Sequence, residues 1–373
     1  MKKILIIVNR AEFLFSHRYE ICLEIMKRGY ELHVVSPPNN SVVPQFTSDG
    51  IHHHPVNFFA DSLMPQKLLS TTLQIVKIIK DLNPDLVHSI AMKPVICGGI
   101  AARICRSPRV VSSIAGLGLV FSSVKLRYRV LRKALRHVLS FCFKHNNHVV
   151  ILQNDNDKSI LLNSGVLNEK NVCMIRGSGV NLDVFQFHPE PNDIPVVLFA
   201  SRLIKDKGLG DLVEAVKILK SQNVELRLLV AGVPDPLSPN SIPEEILKNW
   251  HNSGLIEMLG FQSNMHQLLS ECNIFCFPSF YGEGVPKVLL EAASCGRSII
   301  TTDHPGCRDA INSDTGILVP INSPKALALS LKALIEDNSL RLKMGKKARE
   351  LAEKYFGVHA VVKKHIEIYQ SLF

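Results

Sequence analysis

Two segments in the second half of the chain have residue types and spacing suited to chemistry. Ser279-Phe280-Tyr281-Gly282-Glu283-Gly284-Val285-Pro286-Lys287-Val288-Leu289-Leu290-Glu291-Ala292 carries two glutamates eight apart around a Gly-x-Gly loop and a helix begun by proline. Gly284 lets a ligand approach the backbone closely, Pro286 suits a first helical turn, and free amides there would face an anion or polar ligand. Glu283 falls in the loop and Glu291 inside the helix, so the carboxylates can hold different parts of one ligand and are not a side-by-side acid and base. Upstream, Ser201-Arg202-Leu203-Ile204-Lys205-Asp206-Lys207-Gly208 places the cations Arg202 and Lys207 five apart in a loop that opens a helix. They could clamp a diphosphate between side chains and helix amides; a solvated pair of loop charges is the plain alternative.

The elements that must position these residues alternate between strand and helix. Strand-like apolar runs occur at residues 4–8, 31–36, 86–89, 109–114 and 148–153, with a helix near 17–28. The rhythm restarts at 196–200 and continues at 226–231, 274–277 and 298–301, ending in helices near 324–337 and 339–354. This spacing predicts parallel sheets with helices on both faces. The stretch Phe187-His188-Pro189-Glu190-Pro191-Asn192-Asp193-Ile194-Pro195 reads as a linker. A chain of 373 residues exceeds one ordinary core. The expected α/β architecture is therefore two doubly wound, Rossmann-like domains with ligands at the carboxyl ends of their strands, in the cleft between them. Residues 1–185 would form the first domain, 186–355 the second, and 356–373 a last helix packing back on the first.

Composition bounds the class. A chain that is 46% hydrophobic and 20% charged is globular, and no run approaches the length of a membrane span. Nine scattered cysteines without a C-x-x-C pair, and an opening apolar run that ends at Asn9-Arg10, point to buried thiols in a reducing cytoplasm. The net charge of +10 is uneven: residues 1–185 hold 23 Lys and Arg against 12 Asp and Glu, and residues 186–373 hold 20 against 21. A basic first half favours an anionic surface or ligand there.

With these segments in view, the chain resembles the retaining glycosyltransferases of family 4, which have the GT-B fold. The resemblance rests on Ser201-Arg202-Leu203 with Lys207-Gly208, on Pro278-Ser279 followed by Glu283-Gly284-Val285-Pro286, on Leu289-Leu290-Glu291-Ala292, and on Gly177-Ser178-Gly179-Val180-Asn181 leading to Phe185. It implies that Arg202 and Lys207 hold the nucleotide diphosphate, that Glu283 contacts hydroxyls of the transferred sugar, and that Glu291 binds the ribose. Amides around Gly284, Val285, Pro286 and Lys287 would contact sugar or diphosphate. Phe13-Leu14-Phe15-Ser16-His17-Arg18, His88-Ser89-Ile90-Ala91-Met92-Lys93-Pro94 and Gly116-Leu117-Gly118 resemble the branch that extends undecaprenyl-diphosphate-linked sugars in capsule, O-antigen or glycan assembly. On that resemblance His17, Arg18, Lys93, Gly116 and Gly118 would meet the acceptor; a charge cluster at a helix start is the alternative. Two departures matter. Asn9-Arg10-Ala11-Glu12 replaces a Gly-Gly loop, and a sugar-contacting histidine of many relatives would fall near Ala115.

Residues 125–144 hold seven Lys and Arg interleaved with apolar residues at helical spacing. Such a helix either lies on anionic lipid through Arg129, Arg132, Lys133 and Arg136 or is a core helix with a solvated basic face. His52-His53-His54 is not read as a metal site, because neighbours in a strand point to opposite faces. Asp155-Asn156-Asp157 is read as helix capping rather than a metal motif.

The expected protein is a cytoplasmic enzyme on the inner membrane face, transferring a hexose, N-acetylhexosamine or uronic acid from a UDP-sugar to a polyprenyl-diphosphate-linked saccharide, with no cofactor and no metal. The alternatives are a UDP-sugar 2-epimerase of the same architecture and a noncatalytic binding protein. Nucleic acid is excluded as a partner because the glutamates of residues 279–292 would repel a phosphate backbone.

Overall fold

The apolar runs become the inner strands of two parallel sheets, where burial on both faces requires continuous hydrophobic sequence. A computed structural model describes residues 1–58, 65–118, 121, 126–191, 193–236, 238–282 and 284–373. One unit comprises Met1–Ser178, Gly282–Gly284 and His359–Phe373; the other comprises Gly179–Tyr281 and Val285–Val358. Each unit is a doubly wound α/β domain.

The first sheet contains β1 (Lys3–Val8), β2 (Glu31–Ser36), β3 (His52–Pro55), β4 (Leu86–Ile90), β5 (Val110–Ile114), β6 (His148–Leu152) and β7 (Val172–Met174). Their order is β3-β2-β1-β4-β5-β6-β7, so the chain reverses its direction across the sheet between β1 and β4. The second sheet contains β8 (Val196–Ala200), β9 (Arg227–Ala231), β10 (Glu257–Gly260), β11 (Ile274–Phe277), β12 (Ser298–Thr302) and β13 (Gly316–Val319), in the order β10-β9-β8-β11-β12-β13. Its reversal lies between β8 and β11. Every strand pair is parallel.

The second unit has one contiguous core running from Val180 to Phe356. The first unit divides its apolar interior into three clusters; the one around β1 takes in Val361, Ile366 and Tyr369 of the Val358–Leu372 helix.

Three expectations need correction. The first helix runs from Ala11 to Lys27, beginning before His17, so the segment from Phe13 to Arg18 is helical. Its buried stripe is Ala11, Leu14, Arg18, Ile21, Cys22 and Ile25, and helical spacing puts Arg18 on the core face. Around 52–54, His53 does point away from its neighbours, and its Nε2 lies 2.9 Å from Ser36 Oγ. His52 and His54, two apart, instead share a face with His33 of β2. At the Asp155–Asn163 helix the cap is Asn154, whose Oδ1 accepts from the Asp157 amide at 2.8 Å. Asp155 pairs with Arg176 at 3.1 Å.

Candidate functional site

In doubly wound sheets, ligands collect where the strand order reverses, at the carboxyl ends of the strands. In the second unit those ends are the loops after β8 and β11, which contain Arg202, Lys207 and residues 278–281. Leu203 donates its amide to Val233 O at 2.9 Å and Lys205 donates to Asn240 O at 2.8 Å, fixing the first loop against the segment after β9. A single 3-10 turn, Lys205–Lys207, then ends at Gly208 in the left-handed region with φ +81°. A Cβ on Gly208 would stand 2.1 Å from Pro278 O, so only glycine lets the Leu209–Ser221 helix start against the exit of β11.

That approach buries Lys207 to 6% exposure and places its Nζ 5.1 Å from the centroids of both the Phe277 and Tyr281 rings. The Phe280 amide donates to Asp206 O at 3.0 Å, tying the two loops together. Arg202, by contrast, is exposed and pairs through Nη1 with Asp235 Oδ2 at 2.6 Å. One cation is therefore set by packing and the other by an exchangeable ion pair.

Pro286 precedes the Lys287–Ser294 helix, as its fixed φ favours. Glu291, 8% exposed, faces Lys287 Nζ at 3.4 Å. Burial raises the Glu291 carboxyl above the usual carboxylate range, with the Lys287 charge opposing the shift. A carboxylate so enclosed suits hydrogen bonding to hydroxyl groups. Beneath it the strand ends are locked by hydroxyls of β12: Thr301 Oγ1 donates to Phe277 O at 2.6 Å and Thr302 Oγ1 donates to Ser279 O. Glu283 lies outside the described residues. The Gly284 amide donates to Ala115 O at 2.8 Å in the first unit, which removes it from the set of ligand-facing amides expected there.

In the first unit the reversal between β1 and β4 brings the Ala11–Lys27 helix and the start of the Met92–Ile104 helix to the corresponding end. Lys93 is half-buried, two residues after Ala91, which is held at φ +79° and ψ 159°. That conformation is rare outside glycine and concentrates at functional sites. His17 is half-buried, its Nδ1 lying 2.7 Å from Ser16 Oγ and its ring stacked on Phe13. Gly116 and Gly118 both have positive φ. Arg18 does not join them: it is 2% exposed, without hydrogen-bond partners for Nε and Nη1, near His88, His365 and Tyr369.

The basic helix spans Leu126–Phe143. Its later apolar residues, among them Leu139, Cys142 and Phe143, enter the core. Its first turns expose Leu126 and Val130 beside Arg129 and Lys133, with Arg132 and Arg136 half-buried. No helix among the described residues is long and apolar enough to cross a membrane.

Sequence reasoning missed Asp235 and the two threonines. Asp235 lies in Val233-Pro234-Asp235-Pro236, at the carboxyl end of β9. Its position after an inner strand was the one available signal.

Residues 181–351 match the family described as Glycosyl transferases group 1, and residues 3–153 match the family described as Glycosyl transferase 4-like. The N,N'-diacetylbacillosaminyl-diphospho-undecaprenol alpha-1,3-N-acetylgalactosaminyltransferase of Campylobacter jejuni is 27% identical over 373 residues, covering 96% of each chain. The UDP-Gal:alpha-D-GlcNAc-diphosphoundecaprenol alpha-1,3-galactosyltransferase of Escherichia coli is 24% identical over 318 residues, 81% of this chain and 79% of its own. The crystal structure of HepE of Anabaena in complex with UDP-glucose aligns with a TM-score of 0.79 over 100% of both chains at 17% identity, a likeness of fold.

Proposed function

We propose, for a chain that belongs to the glycosyltransferases, that it moves a sugar from a UDP-sugar to a polyprenyl-diphosphate-linked saccharide with retention of configuration. The observation that carries this reading is Lys207, buried against two aromatic rings where the strand order of the second unit reverses. The acceptor class rests on the Campylobacter and Escherichia relatives, both of which act on undecaprenol-linked sugars, and the donor class on the UDP-Gal of the latter. Both family matches are transferases, and the epimerase reading has no support.

In the proposed step the bond from the sugar's anomeric carbon to the diphosphate breaks, and one to an acceptor hydroxyl oxygen forms on the same face. The hydroxyl proton passes to the departing phosphate oxygen, and UDP leaves. Lys207, Arg202 and the amides that open the Lys287–Ser294 helix stabilise the charge that develops on the diphosphate. Glu291 takes the ribose hydroxyls and Glu283 the hydroxyls of the transferred sugar. The step draws on protein cations alone, without a cofactor or metal. Lys93, His17 and the backbone of Gly116 and Gly118 receive the acceptor diphosphate and its sugars. Arg18 is left out because its guanidinium is in the core.

The exposed Leu126 and Val130, flanked by Arg129 and Lys133, support a reading in which this helix lies on the anionic inner face of the membrane. Each cation there adds about 1 kcal/mol.

Three measurements test this. Lys207→Ala should lower turnover by roughly 10²- to 10³-fold, the usual cost of one preorganised charge; unchanged turnover in a folded variant refutes the clamp. Glu291→Ala should raise the donor KM and spare acceptor binding, and an unaltered donor KM removes its ribose role. Neutralising Arg129, Arg132, Lys133 and Arg136 together should abolish sedimentation with anionic liposomes; undiminished sedimentation refutes membrane docking.

A further inference from the structure

The parallel pairing of β2 with the edge strand β3 sets His33 opposite His52 and Val35 opposite His54. With a side-chain period of two, Glu31 and His33 of one strand meet His52 and His54 of the other. His33 Nε2 lies 2.9 Å from Glu31 Oε1, and its Nδ1 lies 3.0 Å from His54 Nε2. The His33 and His52 rings stack at 4.7 Å. Ligand atoms of Glu31, His33 and His52 all fall within 4.8 Å of one another.

We propose that Glu31, His33 and His52 bind one divalent transition-metal ion of the zinc class, with His54 as the outer partner that orients His33. Imidazole nitrogen and carboxylate oxygen are the donors such ions select, whereas magnesium and calcium prefer all-oxygen sets. Coordination at about 2.0–2.2 Å draws the three ligand atoms closer than they stand, and the exposed His52 and half-buried Glu31 are the groups placed to move. Seating the ion on His33 Nε2 shifts that ring's proton to Nδ1, from which it is donated to His54 Nε2, itself protonated on Nδ1. A ligand histidine with its second nitrogen so engaged is the usual arrangement in protein metal sites. Water completes the coordination on the solvent side. Lys3, paired in register with Glu31, brings an opposing charge that weakens the site.

Glu31 and His52 begin their strands. The ion therefore sits at the amino end of the sheet, opposite the end assigned to substrates. Its effect is to fasten a four-residue edge strand, and it takes no part in sugar transfer.

The experiment uses the full chain, free of any affinity tag and treated with chelator. Cobalt(II) is titrated and followed by its visible d–d absorption, and zinc(II) is followed by calorimetric unfolding. One equivalent of cobalt should give the intense band of a four-coordinate site. Zinc at a hundredfold excess over Kd should raise the first unit's Tm by about 5 °C, with no change in transfer rate. His52→Gln and Glu31→Gln, at accessible positions, should each weaken binding at least tenfold, Lys3→Gln should tighten it severalfold, and His53→Gln should leave it unchanged. Absence of the cobalt band, or full binding in His52→Gln, overturns the proposal. So does chelation that abolishes transfer, which would put the metal in the reaction.

Discussion

The two units share a topology but treat buried charge in opposite ways. In the second, wholly buried Arg297 donates from Nη1 to Cys272 O at 2.8 Å, from Nε to Cys295 O at 3.1 Å, and from Nη2 to His188 O. Arg341 pairs with Glu190 at 2.7 Å, and Glu291 has Lys287. In the first, Arg18 is buried with two nitrogens unmatched among histidines that are themselves buried. Among the described residues, seven buried side-chain atoms lack a hydrogen-bond partner in the first unit and two in the second. Unmatched buried polar groups cost stability, and matched ones hold their neighbours in place. The second unit, which carries the proposed diphosphate clamp, is thus the stiffer scaffold, and the first unit keeps weaker, condition-dependent packing.

The same substitution in each unit gives the sharpest test. Arg297→Met removes the donors of three carbonyls, each costing about 1–3 kcal/mol when left buried and unsatisfied, and should destabilise the second unit by roughly 3–5 kcal/mol or more. Calorimetry of the full chain should show the second unit's transition falling while the first holds. A loss below about 1 kcal/mol would mean that pairing is not what stiffens this unit.

Acid should separate the units next. Burial holds the His365 imidazole down at about 3 and His148 at about 4, and puts His88 well below the ordinary 6.5. The Arg18 charge adds to the shift of His365 and, with His365 itself, to that of His88. The folded unit therefore binds fewer protons than the unfolded chain below pH 6.5. Each histidine's contribution is complete above that pH and is lost on acidification at about 1.4 kcal/mol per pH unit until the folded value is reached. In the second unit, Arg227 holds Glu257 below its ordinary 4.5, so that contribution is retained until the pH falls under 4.5. Between pH 6.5 and 4.5 the first unit should melt progressively earlier and the second should not. Parallel decline of both transitions would erase the comparison.

Arg18→Met carries the opposite sign to Arg297→Met. It replaces an unmatched buried cation by an apolar side chain of similar length and lifts its charge from His88 and His365. The first unit should gain about 1–3 kcal/mol, as buried ionic groups replaced by apolar ones commonly give. Its acid loss should also level off at a higher pH, because His88 and His365 then protonate in the folded state more readily. A net loss would show that Arg18 has a partner role the packing does not reveal.

What could be read in the sequence follows from how strongly each feature marks its own neighbourhood. The inner strands β1, β4, β8 and β12 announce themselves through unbroken apolar runs because both faces are buried. The edge strands β7, β10 and β13 are short and half-exposed, and nothing in VCM, EMLG or GILV separates them from loops. Arg202 and Lys207 were visible as a spaced pair, but burial of only one of them depends on Gly208 meeting Pro278 O, seventy residues away. Arg18 misled because a cation inside a helical apolar stripe reads as a surface residue. The meeting of His33 with His52 is a matter of strand register, which no local pattern encodes.

The smallest effect lies inside the stiff unit, at the Arg202 side of the proposed clamp. Arg202 is held by Asp235 at 2.6 Å, with Arg202's side chain 44% exposed. A pair with one exposed and one half-buried partner is worth on the order of 1 kcal/mol, so the proposed diphosphate would take Arg202 from Asp235 at modest cost. Asp235→Asn removes the competing charge and should lower the donor KM by up to about fivefold, the equivalent of 1 kcal/mol, with kcat little changed and Tm within about 1 °C. The expected benefit should shrink at high salt, which screens the pair already. If Asp235→Asn instead raises the donor KM, Asp235 is positioning Arg202 rather than competing for it, and the clamp is preorganised at both cations, not only at Lys207.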